Sequence, residues 1–279
     1  MDPKLEDEIY QRLNTDADYL TAAQRERIVY KLASRRKRTT IKPDNEISAK
    51  DHQDFVHRIN KNQLTLQETK PITKNQSAAF DAYDKGYNLF LHGCPGTGKT
   101  RLLLYFGLYE VLVTKQYSSV TIVRSTVEGR KMGFLPGSPE EKALVFETPY
   151  TYLCSKLFNN DKAYSMLKNR EQIKFVSTAF LRGTTFEDTF IIGDETQNLE
   201  WNELLTLVTR PGDNTKLMLA GDYKQSDFRY EDEREGFINF MKVIKDIKEV
   251  ADIEFDENDI VRGGLVKSFI VAARKHGLL

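Results

Sequence analysis

The sequence predicts an α/β fold: a mostly parallel sheet flanked by helices, preceded by a small helical segment. Three observations predict it. From residue 70 onward, short apolar runs alternate with helical patterns. A complete glycine-rich loop, GCPGTGKT at 93–100, sits between an apolar run and an apolar helical stretch. A second apolar run, Thr189–Ile192, ends in the acidic pair Asp194-Glu195. Strands alternating with helices pair in parallel, because each crossover helix carries the chain back to the same edge of the sheet.

Taken in order, residues 1–65 form a helical N-terminal segment. Leu5, Ile9 and Leu13 fall on one face of a first helix, and Ile28, Val29 and Leu32 on one face of a second. The second ends in Arg35-Arg36-Lys37-Arg38, a run that is either a solvated helix end or a nucleic-acid contact. TTIKPDNE, with Pro43, follows as a linker, and a further short helix is expected over 48–60. Residues 66–279 form the second domain. Its expected strands are Asn88–Leu91, Val120–Val123, Ile173–Val176, Thr189–Ile192 and Lys216–Ala220. Helices are expected at Thr100–Val113 and Trp201–Thr209, with a tail of one helix near 235–250, a short strand at Ile253–Phe255 and a last helix near 265–276.

Composition narrows the function classes. The formal net charge is +0, so any nucleic-acid contact must come from a local patch and not from a global field. Cys94 and Cys154 form no CxxC pair and have no clustered histidines, which argues against a disulfide framework or a zinc site. The start, MDPKLEDEIYQRL, lacks an apolar secretory core, and no window approaches the roughly 20 apolar residues of a membrane span. The expectation is a cytoplasmic protein that does not engage a membrane.

The loop carries the most specific chemistry. It runs through Gly93, Cys94, Pro95, Gly96, Thr97, Gly98, Lys99 and Thr100 to Arg101, in the pattern G-x-x-x-x-G-K-T. Glycines let the backbone wrap phosphates with N–H groups turned inward, and the helix N-terminus adds positive partial charge. Lys99 is expected to neutralise the β- and γ-phosphates of ATP, and Thr100 to ligate Mg²⁺. A buried strand ending in two carboxylates supplies the other half. Asp194 would hold Mg²⁺, and Glu195 would polarise the attacking water as general base. The bland alternative for that pair is an acidic N-cap of the next helix. Gln197, Asn198 and the stretch GDYKQ at 221–225 follow two strand ends, and Gln225 is a candidate for contacting the γ-phosphate or the water.

Beyond these motifs the chain resembles the PhoH-like ATPases. The resemblance covers about residues 70–272 and rests on GCPGTGKT (93–100), EGRKMGFLPGSPEEK (128–142), FLRGTTFEDTFIIGDETQN (180–198), LVTRPG (207–212), GDYKQSDF (221–228) and DIVRGGLV (259–266). The MGFLPG–EEK block is the most specific of these. The resemblance implies a RecA-like P-loop NTPase core with helicase superfamily 1 traits, ATP hydrolysis, association with single-stranded RNA or DNA, and homo-oligomers that can be rings. Thr196 stands where the family usually has Ala, and Cys94-Pro95 where it has Pro-Ala. Gln76 in PITKNQSAAF would, by the same resemblance, read the adenine edge; otherwise it is a polar helix-start residue.

Helicases of this kind place ATP between two lobes. The chain after Asp222 is shorter than the roughly 150 residues of a second lobe, so an arginine finger is expected from the short tail or a neighbouring subunit. Arg210 and Arg262 are the candidates, and a surface salt bridge is the alternative for each. The block Arg124–Glu141 is expected to leave the sheet beside the nucleotide as a loop. Arg124, Arg130 and Lys131 would then meet phosphodiesters and Phe134 a base, unless the loop only seals the core. Arg182 has the same two readings. The expected function is Mg²⁺-dependent ATP hydrolysis coupled to single-stranded nucleic acid. The rivals are a slowly hydrolysing ATP-gated binding or scaffold protein, and a phosphotransferase on the same core.

Overall fold

The computed structural model describes residues 64–126, 139–222 and 231–276. The expectations placed on residues 1–63, including Arg35–Arg38, and those on Arg130, Lys131, Phe134 and Gln225 lie outside them. The site is carried by the unit Leu66–Leu279.

Thr73 caps the first described helix, α1 (Lys74–Asp84), by accepting from the Gln76 N–H. Strand β1 (Asn88–Gly93) then leads through the glycine-rich loop into α2 (Lys99–Tyr109), which continues as a π-helical turn, Glu110–Thr114. β2 (Ser119–Arg124), α3 (Pro139–Phe158), α4 (Ala163–Asn169), β3 (Ile173–Ser177) and β4 (Thr189–Gly193) follow. The chain closes with α5 (Trp201–Val208), β5 (Thr215–Gly221), α6 (Glu231–Lys245), β6 (Val250–Phe255) and α7 (Gly264–Lys275).

All six strands are parallel, in the order β3-β2-β4-β5-β1-β6. The glycine-rich loop and the acidic pair therefore leave the same edge of the sheet, with β5 between their strands. The alternation along each strand sorts its side chains to two faces. Ile191, Phe90 and Leu219 meet Leu204 and Leu207 of α5 and Phe237 and Phe240 of α6 on one face. Phe190 points to the other, where its ring lies over Gly107 of α2. Helix α2 is buried from Leu102 to Leu108, which is why its sequence is apolar all round and lacks an amphipathic stripe.

The expected strands all form, each a residue or more longer than its apolar run. The stretch Arg124–Glu141 is not a loop throughout: α3 begins at Pro139 and extends to Phe158. Pro149 inside α3 interrupts the sequence pattern that would have marked a helix.

The turn out of β1 depends on one residue. Gly93 has φ +100, and a Cβ there would lie 2.4 Å from the Phe255 carbonyl oxygen of β6. Gly93→Ala is expected to destabilise the fold by about 2 kcal/mol or more, from overpacking and a disfavoured backbone conformation together. Denaturant unfolding of the variant against the parental chain measures it.

Candidate active site

The Lys99 ammonium reaches back over its own loop and donates to the carbonyl oxygens of Gly93 (2.7 Å) and Cys94 (2.8 Å). Burial lowers its pKa, while Asp222, Glu195 and Asp194 oppose that shift by holding the positive charge. One residue on, the Thr100 hydroxyl donates to Asp194 Oδ1 at 2.8 Å. Two motifs far apart in sequence thus meet at a single hydrogen bond, because α2 starts where β4 ends.

Asp194 is buried, with its N–H donated to the Val123 carbonyl at 2.9 Å. Its other carboxylate oxygen, Oδ2, accepts the hydroxyl of the fully buried Tyr150 at 2.8 Å. Burial and then the Glu195 charge raise the Asp194 pKa, and the Tyr150 and Thr100 hydrogen bonds and the Arg124 charge act against them. Glu195 stands in the left-handed region, φ 51 and ψ 43. That conformation is costly for a residue with a side chain, and such strain gathers at functional sites. Gln197 fixes it: Nε2 donates to Glu195 Oε2 at 2.5 Å, and Oε1 accepts the N–H of Asp222 at 2.8 Å. Gln197 therefore ties the end of β4 to the end of β5. Thr196 does the same through its hydroxyl, which donates to the Ala220 carbonyl at 3.0 Å.

The donor set suits Mg²⁺. A hydroxyl and a carboxylate are hard oxygen ligands, and Mg²⁺ takes one or two such protein groups and completes its shell with phosphate oxygens and water. Among the described residues no group of three His, Cys, Asp or Glu could hold a metal without such help. Thr100 and Asp194, joined by that hydrogen bond, are the residues that could hold it.

Gln76 is buried against the loop. Its Nε2 donates to the Thr97 carbonyl at 3.0 Å and its Oε1 accepts the Ile72 N–H at 2.9 Å. Both ends of the amide brace protein backbone here. Val261 N–H donates to the Gly96 carbonyl at 3.0 Å, and Arg262 lies over Gly96, its Cγ 2.9 Å from where a Cβ would stand. The DIVRGG segment is anchored below by Asp259. Burial raises the pKa of this carboxyl, but hydrogen bonds from Thr73, Asn75 and Asp256 outweigh burial and hold it low. Cys94, Pro95 and Thr97 shape the loop, with Cys94 N–H donated to Phe255 O at 2.8 Å, while Arg101 points out from α2 as an exposed side chain.

The two candidate finger arginines part company. Arg262 sits on the phosphate loop of its own chain. Arg210 precedes β5, at the opposite edge of the sheet, and its guanidinium donates to the Thr184 carbonyl and the Thr209 hydroxyl. It cannot reach the phosphates of its own chain. Arg124 has two readings in sequence, a phosphodiester contact or part of a loop that seals the core. It ends β2 and turns into the site, where its guanidinium is hydrogen-bonded to Tyr150. Burial alone would lower its pKa, but Tyr150, Asp194 and Glu195 outweigh that and raise it. Phe180, just beyond β3, and Arg182, two residues on, are both exposed.

Tyr150, Asp222 and the bridging role of Gln197 were not found in the sequence. Gln197 lies in a quoted motif, and its position two residues after Glu195 was the available signal. Tyr150 lies 44 residues before Asp194 and carries no local signal.

Comparison with known proteins gives one family. The profile described as PhoH-like protein matches residues 68–274. The PhoH-like protein of Mycobacterium tuberculosis (strain H37Rv) is 31% identical over 209 residues, 74% of this chain and 58% of that protein. A PhoH-like protein of Bacillus subtilis (strain 168) is 28% identical over 246 residues, 82% of this chain and 76% of that one. Protein PhoH2 of the same organism is 37% identical over 146 residues, 51% of this chain and 33% of that one. The match thus spans little more than half the length of the mycobacterial relative. Among solved structures, a chain from a study of DNA unwinding at forked double-stranded DNA by two Pif1 helicases aligns distantly, at TM-score 0.27 and 14% identity over 67% of this chain and 44% of that one. No helix among the described residues is long and apolar enough to cross a membrane.

Proposed function

This chain belongs to the PhoH-like protein family of P-loop NTPases, and on that premise we propose that it hydrolyses ATP with Mg²⁺ and couples hydrolysis to single-stranded RNA or DNA. The observation that carries the reading is the meeting of Lys99, Thr100, Asp194 and Glu195 at one sheet edge, with the Thr100 hydroxyl on Asp194 at 2.8 Å. Mg²⁺, held by Thr100 and Asp194, would supply positive charge that neutralises the phosphates. The chain's own residues do the rest. The loop N–H groups and Lys99 hold the phosphates. Glu195, aimed by Gln197, takes the proton of the attacking water. Gln197 also connects that carboxylate to the strand that leads to Gln225.

Nucleic acid would approach from the end of β3, where Phe180 offers a ring for stacking and Arg182, two residues on, a charge for a phosphodiester. The experiment is ATPase rate against a panel of RNA and DNA oligonucleotides, with oligomer mass measured in parallel. Stimulation by single strands supports coupling. An unchanged rate with every oligonucleotide removes it and leaves the nucleotide site alone.

A homo-oligomer, ring or otherwise, belongs to the same proposal, but the positive charge facing the γ-phosphate need not come from a neighbour. Arg262 already lies on its own loop. Arg262→Ala is expected to lower turnover at least about tenfold, and adding a Lys99→Ala chain should not restore it. Arg210→Ala should retain most turnover. Recovery of phosphate release in the Arg262→Ala and Lys99→Ala mixture would instead put the arginine to work across subunits.

A further inference from the structure

Tyr150 is fully buried on α3, and its ring packs at 6.0 Å from that of Phe175 on β3. A phenylalanine would fill the same space. The hydroxyl is what needs explaining, because a buried phenol must find partners. It has two: it donates to Asp194 Oδ2 at 2.8 Å, and it is also hydrogen-bonded to Arg124 at the end of β2. Arginine has only donors, so the order is fixed: Arg124 donates to Tyr150, and Tyr150 donates to Asp194. The remaining oxygen of Asp194 faces Thr100.

From this chain of bonds we infer that Tyr150, oriented by Arg124, is a positioning residue for the metal-side carboxylate. It pins Oδ2 so that Oδ1 stays beside the Thr100 hydroxyl, where Mg²⁺ would be held. The inference rests on the magnesium site of the proposed function. Carboxylates that serve metals are commonly oriented this way, and losing such a partner weakens metal affinity by roughly 10–100-fold. A purely structural tyrosine would change stability and leave the Mg²⁺ dependence alone.

The test uses the full chain and a fluorescent ATP analogue, with binding followed as Mg²⁺ is titrated and thermal melting recorded without nucleotide. Tyr150→Phe should bind the Mg²⁺-free analogue as the parental chain does, and should need about tenfold more Mg²⁺ for the half-maximal effect. Arg124→Gln should shift the same midpoint in the same direction by a smaller factor. It serves alone if Tyr150→Phe does not fold. Mg²⁺ curves that coincide with the parental one overturn the inference. A shifted curve in a chain that never releases phosphate supports it while defeating the hydrolysis reading. Coincident curves in a chain that does turn over ATP do the reverse.

Discussion

Lys99→Ala is expected to abolish ATP turnover, by a factor of about 10³ or more, and to weaken nucleotide binding. The reason lies in what surrounds the ammonium. Asp222, Glu195 and Asp194 all act on Lys99 electrostatically. Without the cation, the incoming phosphates meet carboxylates and lose their fixed counter-ion. Lys99→Arg should rescue poorly, because a broad planar guanidinium replaces the compact ammonium that fits between the Gly93 and Cys94 carbonyls. Phosphate release and binding of a labelled nucleotide, measured on both variants, check this. Near-parental turnover in Lys99→Ala would remove the whole reading of the loop.

Glu195→Gln is expected to separate binding from hydrolysis. Turnover should fall by roughly 10²–10⁴, the usual worth of a positioned general base, with nucleotide affinity kept. The amide is nearly the same shape, so the strained backbone at φ 51 need not change. It cannot accept the water's proton. Asp194→Asn should do the opposite and act on Mg²⁺-dependent binding, since Asp194 and not Glu195 is bonded to Thr100. Single-turnover hydrolysis and an Mg²⁺ titration of binding tell the two variants apart. Identical behaviour in both assays would end the division of roles.

Much of this site could be read from the chain because its parts are local. A phosphate cradle needs its glycines, lysine and threonine within eight consecutive residues, and an acidic strand end needs only an apolar run before it. Those two signals also located the strands on which they depend, β1 and β4. What escaped is what the fold brings together from a distance. Tyr150 reaches Asp194 only because α3 packs over β3 beside β2, and Pro149 hid that helix. Arg124 has two readings in sequence, a phosphodiester contact or part of a loop that seals the core, and only the fold shows its neighbours in space, Tyr150, Asp194 and Glu195. Arg210 and Arg262 looked equivalent as arginines in motif blocks. Strand direction separates them, since one lies at the end where the strands begin and the other at the end where they finish. Gln76 reads in sequence as an adenine-edge contact or a polar helix-start residue, and in the fold its amide bridges the Ile72 N–H and the Thr97 carbonyl.

The central claim is hydrolysis of ATP at this edge with Mg²⁺, and steady-state phosphate release by the purified parental chain tests it most directly. Measured with ATP and Mg²⁺, with ATP and a chelator, and with each after adding single-stranded oligonucleotide, the account predicts turnover only where Mg²⁺ is present, raised by the oligonucleotide. Tight ATP binding with no phosphate release under any of these conditions would contradict it and leave an ATP-gated binding protein in its place.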